Sequence, residues 1–547
     1  MTLRQAQGDR SPVADNTPVI IGIGQVSERV GEPGYLERSP MDLAAAALKA
    51  AFADSHAKRS LPHALDTIVG VRQFEQSATR YSAPFGCADN VPRAIARRVG
   101  ANPVHAIHEV VGGDRPQRLV GELAAEIAAG RSKVAAIAGA EALSTMRALL
   151  ARGETRDWSE HRRGDIEDRG PGLEGDLAAI ADSIQGPGRE RAHQNSQQID
   201  RGPGLEGMAD RTAHKHGVAA PIFAYPLAEN VRRERLGLSL ADYRLEIGRL
   251  FAPFTRVAAA NPHSAAPAVR SAEELAALTE RNRLVAEPYG RLVVARDQVN
   301  QGAAIVLASV AEARRLGVPE DRWVYVHGVA DCAEPTLFSR ADMEKSPAAV
   351  AAISCALELA GVGWEKLSAI DLYSCFAIPV FNLIEAFGLN CDDPRGWTLT
   401  GGLPFFGGAG NNYSSHAIAE AVARCRAAPG SFALVGANGG NMSKYAAGVY
   451  STAPADWSDS RWISLPKIKP AFDVLDEYDG EAVAETFTIV PGKTGEPATL
   501  VARTGGARVC AISTDSGVIA ELRAGKVAGR PVRIEGGESG VNRFWLV

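Results

Sequence analysis

Residues able to do chemistry concentrate between positions 373 and 444. Cys375 lies at the end of the apolar run AIDLYSCF, and parallel α/β folds place active residues at the ends of strands. Its thiol is a candidate nucleophile; the ordinary alternative is a buried core cysteine. Two residues earlier, Tyr373 has a phenol that can donate or accept a proton at a carbonyl, or simply pack as a strand aromatic. His416 falls near the start of a helical stretch marked by Ile418, Val422 and Cys425. A helix N-terminus depresses a histidine pKa, which leaves the ring neutral and able to act as a base; local capping or packing is the alternative. Cys375, His416 and Tyr373 form the candidate catalytic set. Asn411, Asn412 and Asn438 sit on Gly-rich segments. They can meet a carbonyl oxygen or serve turn chemistry, since Asn tolerates the left-handed region.

Main-chain groups add to this set. Gly112-Gly113 and Gly407-Gly408 lack Cβ atoms, so their N–H groups can approach a ligand closely. The same glycines also permit tight strand-to-helix turns. Gly113 and Gly408 join the three asparagines as candidate substrate-binding positions. Asp114 reads as an N-cap with Pro116 in the first turn. Lys444 reads as solvated rather than phosphate-binding, and His214-Lys215-His216 lacks the carboxylate support that a metal site needs. Nothing matches a P-loop, an HExxH helix or a GxSxG elbow, and Gly22/Gly24 do not complete GxGxxG.

The elements that position these residues occur twice. Ser39-Pro40 opens the helix MDLAAAALKAAFADS before the strand-like LDTIVGV, and Ser346-Pro347 opens AAVAAISCALELAGV before AIDLYSCF. Gly112-Gly113 precedes QRLVGELAAEIAAG and VAAIAGAEA, as Gly407-Gly408 precedes SSHAIAEAVARCRAA and FALVGANGG. The offsets are 307, 295 and 297 residues (39→346, 112→407, 139→436), near enough to constant to indicate a duplicated α/β half. In the first half Leu119, Val120, Leu123 and Ile127 share one helix face. Such alternation predicts mostly parallel sheets covered by helices. Residues 481–547 instead alternate as short strands with almost no helix signal.

These signals divide the chain into a loose tail (1–16), an N-terminal half (17–150), a loop or insertion region (151–290), a C-terminal half (291–455) and a β-rich accessory domain (456–547). Within the insertion, DRGPGLEG occurs at 168–175 and again at 200–207, which reads as a local loop duplication. With 547 residues, 46% hydrophobic and 22% charged, the chain can bury several cores. Lys plus Arg number 59 against 64 for Asp plus Glu, so a nucleic-acid partner is not expected. No window approaches ~20 unbroken apolar residues, so no membrane span is expected. The opening MTLRQAQGDRSPVADN lacks an apolar signal region, and seven scattered cysteines form no CxxC pair. A cytoplasmic location follows from these readings.

The motifs VGGDRPQRLV, AAIAGAEALS, VNQGAA, DLYSCF, TGGLPFFGGAGNNYSSHAIAE and GANGG, in this order, resemble those of the thiolase superfamily. The likeness is to the branch near the sterol-carrier-protein thiolases (thiolase-like protein type 1, acetyl-CoA acetyltransferase-like) with an additional C-terminal domain. It implies an α/β duplicated thiolase fold: two βαβαβ-type halves, layered α-β-α-β-α, plus a small β-rich C-terminal domain. It also implies a CoA thioester as substrate or ligand, no cofactor, a role in lipid metabolism, and a homodimer built on the duplicated core. Thiolases carry a nucleophilic cysteine where this chain has Gly113, and a Gly-His-Pro histidine where it has Gly407-Gly408-Ala409. Their Asn-Glu-Ala-Phe or His-Asp-Cys-Phe motif becomes Tyr373-Ser374-Cys375-Phe376, and Cys-Xaa-Gly becomes Ala437-Asn438-Gly439. The resemblance therefore leaves three activities open: an acyltransferase rebuilt around Tyr373, Cys375 and His416, a non-catalytic acyl-CoA binder, or a retro-aldol lyase acting on a CoA thioester.

Overall fold

The computed structural model describes residues 13–77, 83–161, 164–170, 208–457, 461–492, 495–537 and 540–547. The loose-tail reading for residues 1–12 falls outside these, as does the DRGPGLEG pair apart from Asp168, Arg169 and Gly170.

Strand β1 (Pro18–Ser27) carries Gly22 and Gly24 for packing: a Cβ on either would strike the carbonyls of Ala51 and Ala47 in helix α1 (Pro40–Asp54). The alanines of α1 present the matching small surface. Ser39 caps this helix by accepting from the Asp42 amide at 3.2 Å. Strands β2 (Thr67–Gly70), β3 (His105–His108) and β4 (Val134–Ala142) follow, with helix α2 (Arg115–Ala128) crossing between β3 and β4. The two-residue β5 (Glu167–Asp168) lies along β3, and β6 (Leu284–Ala286) pairs with β7 (Tyr289–Gly290) in a separate hairpin. Between them run α3 (Pro221–Arg235) and α4 (Leu240–Ala260).

The remaining strands of the body are β8 (Asn300–Ser309), β9 (Val324–Ala333), β10 (Leu367–Asp371), β11 (Phe432–Gly439) and β12 (Lys444–Ser451). Helices α5 (Pro347–Ala360), α6 (Ile378–Ala386) and α7 (Tyr413–Ala427) connect them. The sheet order is β10-β11-β12-β9-β1-β8-β4-β2-β3-β5, and the duplication is visible in it. In the first half β8 runs antiparallel between β1 and β4; in the second, β12 runs antiparallel between β9 and β11. These returning strands make the sheet mixed, correcting the expectation of a mostly parallel one; β2–β3, β2–β4 and β10–β11 are parallel. The halves join where Val19 and Ile20 pair with Tyr325 and Val324. Helices α2 and α7 pack on each other and on strands of both halves, while α1 and α5 cover the outside. Gly328 repeats the device of Gly22, since its Cβ would lie 2.6 Å from the Ala356 carbonyl of α5.

After the body, β13 (Trp462–Ser464) adds to β9 in parallel. Strand β14 (Asp473–Leu475) then pairs with β17, one of five strands that close a barrel: β15 (Gly480–Ile489), β16 (Ala498–Thr504), β17 (Ala507–Ser513), β18 (Pro531–Glu535) and β19 (Arg543–Leu546). The order is β15-β16-β17-β19-β18, with β18 back on β15 and β17 parallel to β19. Phe487, Leu500, Ile534 and Phe544 fill it. The sequence suggested almost no helix here, yet α8 (Ser516–Ala524) sits between β17 and β18. Asp515 caps it through the Val518 amide at 2.9 Å, and Val518, Ile519 and Leu522 face the barrel core. Among the described residues no helix is long and apolar enough to cross a membrane.

Candidate functional site

The parallel strands β10 and β11 run side by side; the segment that follows β10 carries Tyr373 and Cys375, and the C-terminal end of β11 carries Asn438. The N-terminus of α2 brings Gly113 to the same place. A Cβ on Gly113 would lie 2.5 Å from the Tyr373 hydroxyl oxygen and 2.6 Å from the Asn438 carbonyl oxygen. The space a side chain would need at position 113 is thus already filled, by a phenol and a main-chain carbonyl. Tyr373 and Cys375 each keep 8% of their surface exposed, whereas Leu372 and Ser374 between and beside them keep none.

Asn438 donates its amide to the Tyr225 hydroxyl at 2.8 Å and reaches the Cys375 sulfur at 3.8 Å. Tyr225, on α3, in turn donates to the Gly440 carbonyl at 3.2 Å and accepts from the Met442 amide at 3.1 Å. Its ring stacks on Phe376 with centroids 4.4 Å apart. Burial pushes the Cys375 thiol up to about 12, against the partial relief given by Tyr225 and Asn438. The thiolate is therefore scarce at neutral pH, and the group behaves as a neutral, weakly polar side chain. Burial also holds the Tyr373 phenol well above its ordinary range, with the neighbouring Cys375 and Asp114 acting in the same direction. Tyr373 is a proton donor here, not a phenolate.

His416 takes a different partner. Its Nδ1 lies 2.7 Å from the Gln25 side-chain oxygen, and Gln25 donates its own amide to Glu420 at 2.9 Å. The imidazole stands edge-on to Phe406 with centroids 5.1 Å apart. Burial, with a smaller push from His263, lowers its pKa to about 3. The expected neutral ring is present, but its cause is burial rather than the helix terminus, and a base this weak drives proton transfer poorly. Its recorded hydrogen bond runs to Gln25 on β1, not to Tyr373 or Cys375.

Asn411 and Asn412 are engaged by the main chain. Asn411 donates to the Arg72 carbonyl at 2.7 Å and to the Ser77 hydroxyl at 3.0 Å, and accepts from the Gly112 amide at 3.1 Å. Asn412 donates to the Gly139 carbonyl at 2.7 Å and accepts from Ser415 at 2.7 Å. Ser414 donates to the Gly113 carbonyl, so residues 411–414 of the second half grip the Gly112-Gly113 turn of the first. Gly408 donates its amide to the Arg296 carbonyl at 2.8 Å.

Asp114 stands at the N-cap of α2 with Pro116 in the first turn, as expected, but its side chain makes no capping hydrogen bond; the carboxylate is buried and pairs with Arg115 at 2.7 Å. Another expectation is corrected by tertiary contacts: Lys444 is buried, not solvated, and donates to the Val111 carbonyl at 3.1 Å. His216 accepts from the Asn542 amide through Nε2 at 2.9 Å while its Nδ1 faces the Thr212 carbonyl at 2.7 Å, and no cluster suited to a metal occurs among the described residues. Sequence reasoning missed Tyr225 and Glu229, which lie about 150 residues before Cys375 with no motif around them. Glu229 is fully buried and accepts from the Ile378 amide at 3.0 Å, from Tyr243 at 2.8 Å and from Tyr289.

Two halves related by duplication, with a shared helical layer and a site at the ends of β10 and β11, define the thiolase fold. Comparison with solved structures agrees. The human mitochondrial 3-ketoacyl-CoA thiolase matches with a TM-score of 0.51 and 17% identity over 81% of this chain and 100% of that one. The Ltp2-ChsH2(DUF35) aldolase matches with a TM-score of 0.55 and 18% identity over 80% of this chain and 98% of that one. A monomeric SCP2-thiolase-like protein type 1 from Mycobacterium smegmatis matches at 40% identity and a TM-score of 0.78, over 98% of this chain and 100% of that one. The chain belongs to the SCP2-thiolase-like proteins of the thiolase superfamily. No protein-family model and no curated protein matches it.

Proposed function

We propose that the chain binds an acyl-CoA thioester beside Gly113, Tyr373, Cys375 and Asn438, and that it handles this ligand without forming an acyl-enzyme. The observation that carries the reading is Gly113: where a thiolase has its nucleophile, a phenol and a main-chain carbonyl occupy the space of any side chain. Cys375 is a poor substitute, since burial pushes its thiol up to about 12 and its hydrogen-bonding neighbours are Tyr225 and Asn438 rather than a base. The nearby 2.8 Å amide–phenol bond between Asn438 and Tyr225 supplies polar groups for a carbonyl without supplying a nucleophile.

A second reading is favoured by Tyr373 itself. A neutral phenol beside the buried Asp114 carboxylate suits retro-aldol cleavage of a β-hydroxyacyl-CoA. A carboxylate accepts the hydroxyl proton, the Cα–Cβ bond breaks toward the thioester carbonyl, the phenol gives its proton to the enolate carbon, and the proton held by the carboxylic acid passes to the phenolate, which restores both groups. No covalent enzyme intermediate is needed.

The test is calorimetric binding of CoA and acetoacetyl-CoA together with intact-mass analysis after incubation. We expect saturable binding, no acetyl adduct, and no thiolytic turnover in wild type or in Cys375→Ala. An adduct that disappears in Cys375→Ala would overturn the reading in favour of a rebuilt acyltransferase. Absence of CoA binding would overturn the ligand class.

A further inference from the structure

Helix α3 lies between the candidate site and the C-terminal barrel, and it addresses them with opposite stripes. Tyr225, Glu229 and Arg232, spaced by four and three residues, fall on one face at about 100° per residue. All three hold the segment that follows β10. Tyr225 stacks on Phe376, Glu229 accepts the first amide of α6 from Ile378 at 3.0 Å, and Arg232 lies 3.7 Å over the Phe381 ring while pairing with Glu385 at 2.7 Å. Glu229 thus caps α6 from another element, a few residues after Cys375.

The opposite stripe meets the barrel. Thr486 of β15 donates to the Leu227 carbonyl at 2.7 Å, and Asn230 donates to the Phe487 carbonyl at 2.9 Å and to the Glu287 carbonyl at 3.0 Å. Glu234 accepts from the amides of Val527 and Ala528 at 3.2 and 2.6 Å. The barrel also spends its second and third strands on the body. Its strand order is that of an OB-fold, in which those strands usually carry the ligand face. Here Thr499 of β16 donates to the His216 carbonyl at 3.4 Å, and the buried Arg508 of β17 donates to the Phe338 carbonyl at 3.0 Å.

We infer that the barrel is a positioning element for the site: its grip on the outer stripe of α3 sets the placement of Tyr225, Glu229 and Arg232, and through them the Cys375–Ile378 turn. The physical basis is stiffness. A helix buried on both faces transmits a displacement along its length, because neither stripe can move without breaking hydrogen bonds that have no solvent replacement. The inference does not depend on which ligand the site takes.

Hydrogen exchange of the full-length chain, resolved by peptide, tests it. Asn230→Ala removes a barrel contact, Thr486→Val removes another with little change of shape, and neither residue touches the site. We expect exchange in residues 376–384 to rise about tenfold in Asn230→Ala and less in Thr486→Val, with α1 unchanged. Alkylation of Cys375, followed as its own peptide, should quicken in the same order. Glu229→Ala should expose the Ile378 amide and Glu229→Gln should largely restore its protection. The inference is overturned if either barrel-face variant loosens residues 480–489 while 376–384 and Cys375 stay as in wild type. It is equally overturned if α1 and 376–384 loosen alike in both variants, since the coupling would then be global. Failure of the wild-type chain to bind CoA would bear on the proposed function alone.

Discussion

The two Gly-Gly turns each lead into a central helix of a duplicated half, Gly113 directly and Gly408 through a short 3-10 turn, and they have unequal room. At the start of α2, a Cβ on Gly113 would meet the Tyr373 hydroxyl at 2.5 Å and the Asn438 carbonyl at 2.6 Å, both contributed by the second half. Before α7, a Cβ on Gly408 would meet the Arg296 carbonyl at 3.3 Å and a Leu403 methyl at 3.4 Å. Of the two turns, only the first is filled at its second glycine by a phenol and a carbonyl from the other half. Glycine is therefore obligatory at 113 and close to optional at 408. The polar groups differ as well. The start of α2 holds a buried Asp114–Arg115 pair, whereas α7 carries the neutral, buried His416 in its first turn.

The largest expected effect comes from breaking the ion pair. Arg115→Met strands the Asp114 carboxylate in the interior, and chemical denaturation should register a loss of about 3–5 kcal/mol. An unfolding free energy unchanged by this substitution would mean that the other buried charges nearby already balance Asp114. Gly113→Ala comes next. Overpacking against a main-chain oxygen should cost about 3 kcal/mol, and the double variant with Tyr373→Phe should recover only part of it, because the Asn438 carbonyl remains. Full recovery would show that the phenol alone closes the position.

His416 offers a pH-dependent contrast. Its folded pKa, about 3, lies below its ordinary 6.5, so the folded state binds fewer protons than the unfolded state between those values. Its contribution is complete above pH 6.5 and is lost as the pH falls toward 3, at up to about 1.4 kcal/mol per pH unit. In His416→Gln the stability curve between pH 6.5 and 4 should be flatter than in wild type; parallel curves would refute the assignment. The smallest effect belongs to Gly408→Ala. The contacts there need shifts of only a few tenths of an ångström, so its melting midpoint should stay within the equivalent of about 1 kcal/mol of wild type.

Several features of this architecture were legible without coordinates because they depend on neighbours in sequence. The repeated Ser-Pro helix openings, the Gly-Gly turns and the alternating strands of the tail each reflect local geometry, and each marks an element that exists. Even so, the duplicated signals diverge in detail. Ser39 caps α1, whereas Ser346 instead donates to Glu334 at 2.6 Å and makes no cap bond. Of the candidate residues, Tyr373, Cys375, Gly113 and Asn438 come together, while His416 turns to Gln25, a residue of β1 that no motif connects to it.

What the sequence by itself determined is the duplicated α/β frame, the β-rich tail and the absence of a side chain at position 113, for these rest on periodicity and on which residue stands at a position. The tertiary structure alone decided that the space beside Gly113 is filled, that the Asp114 side chain at the N-cap of α2 pairs with Arg115 instead of bonding the helix amides, that Lys444 is buried, and that Glu229 and Tyr225 hold the Cys375 turn. Each of these depends on a partner brought from elsewhere in the chain, and on the loss of water that accompanies burial. A carboxylate, amine or imidazole that would be solvated in an isolated segment must find its partner, or shed its charge, once the two halves close around it.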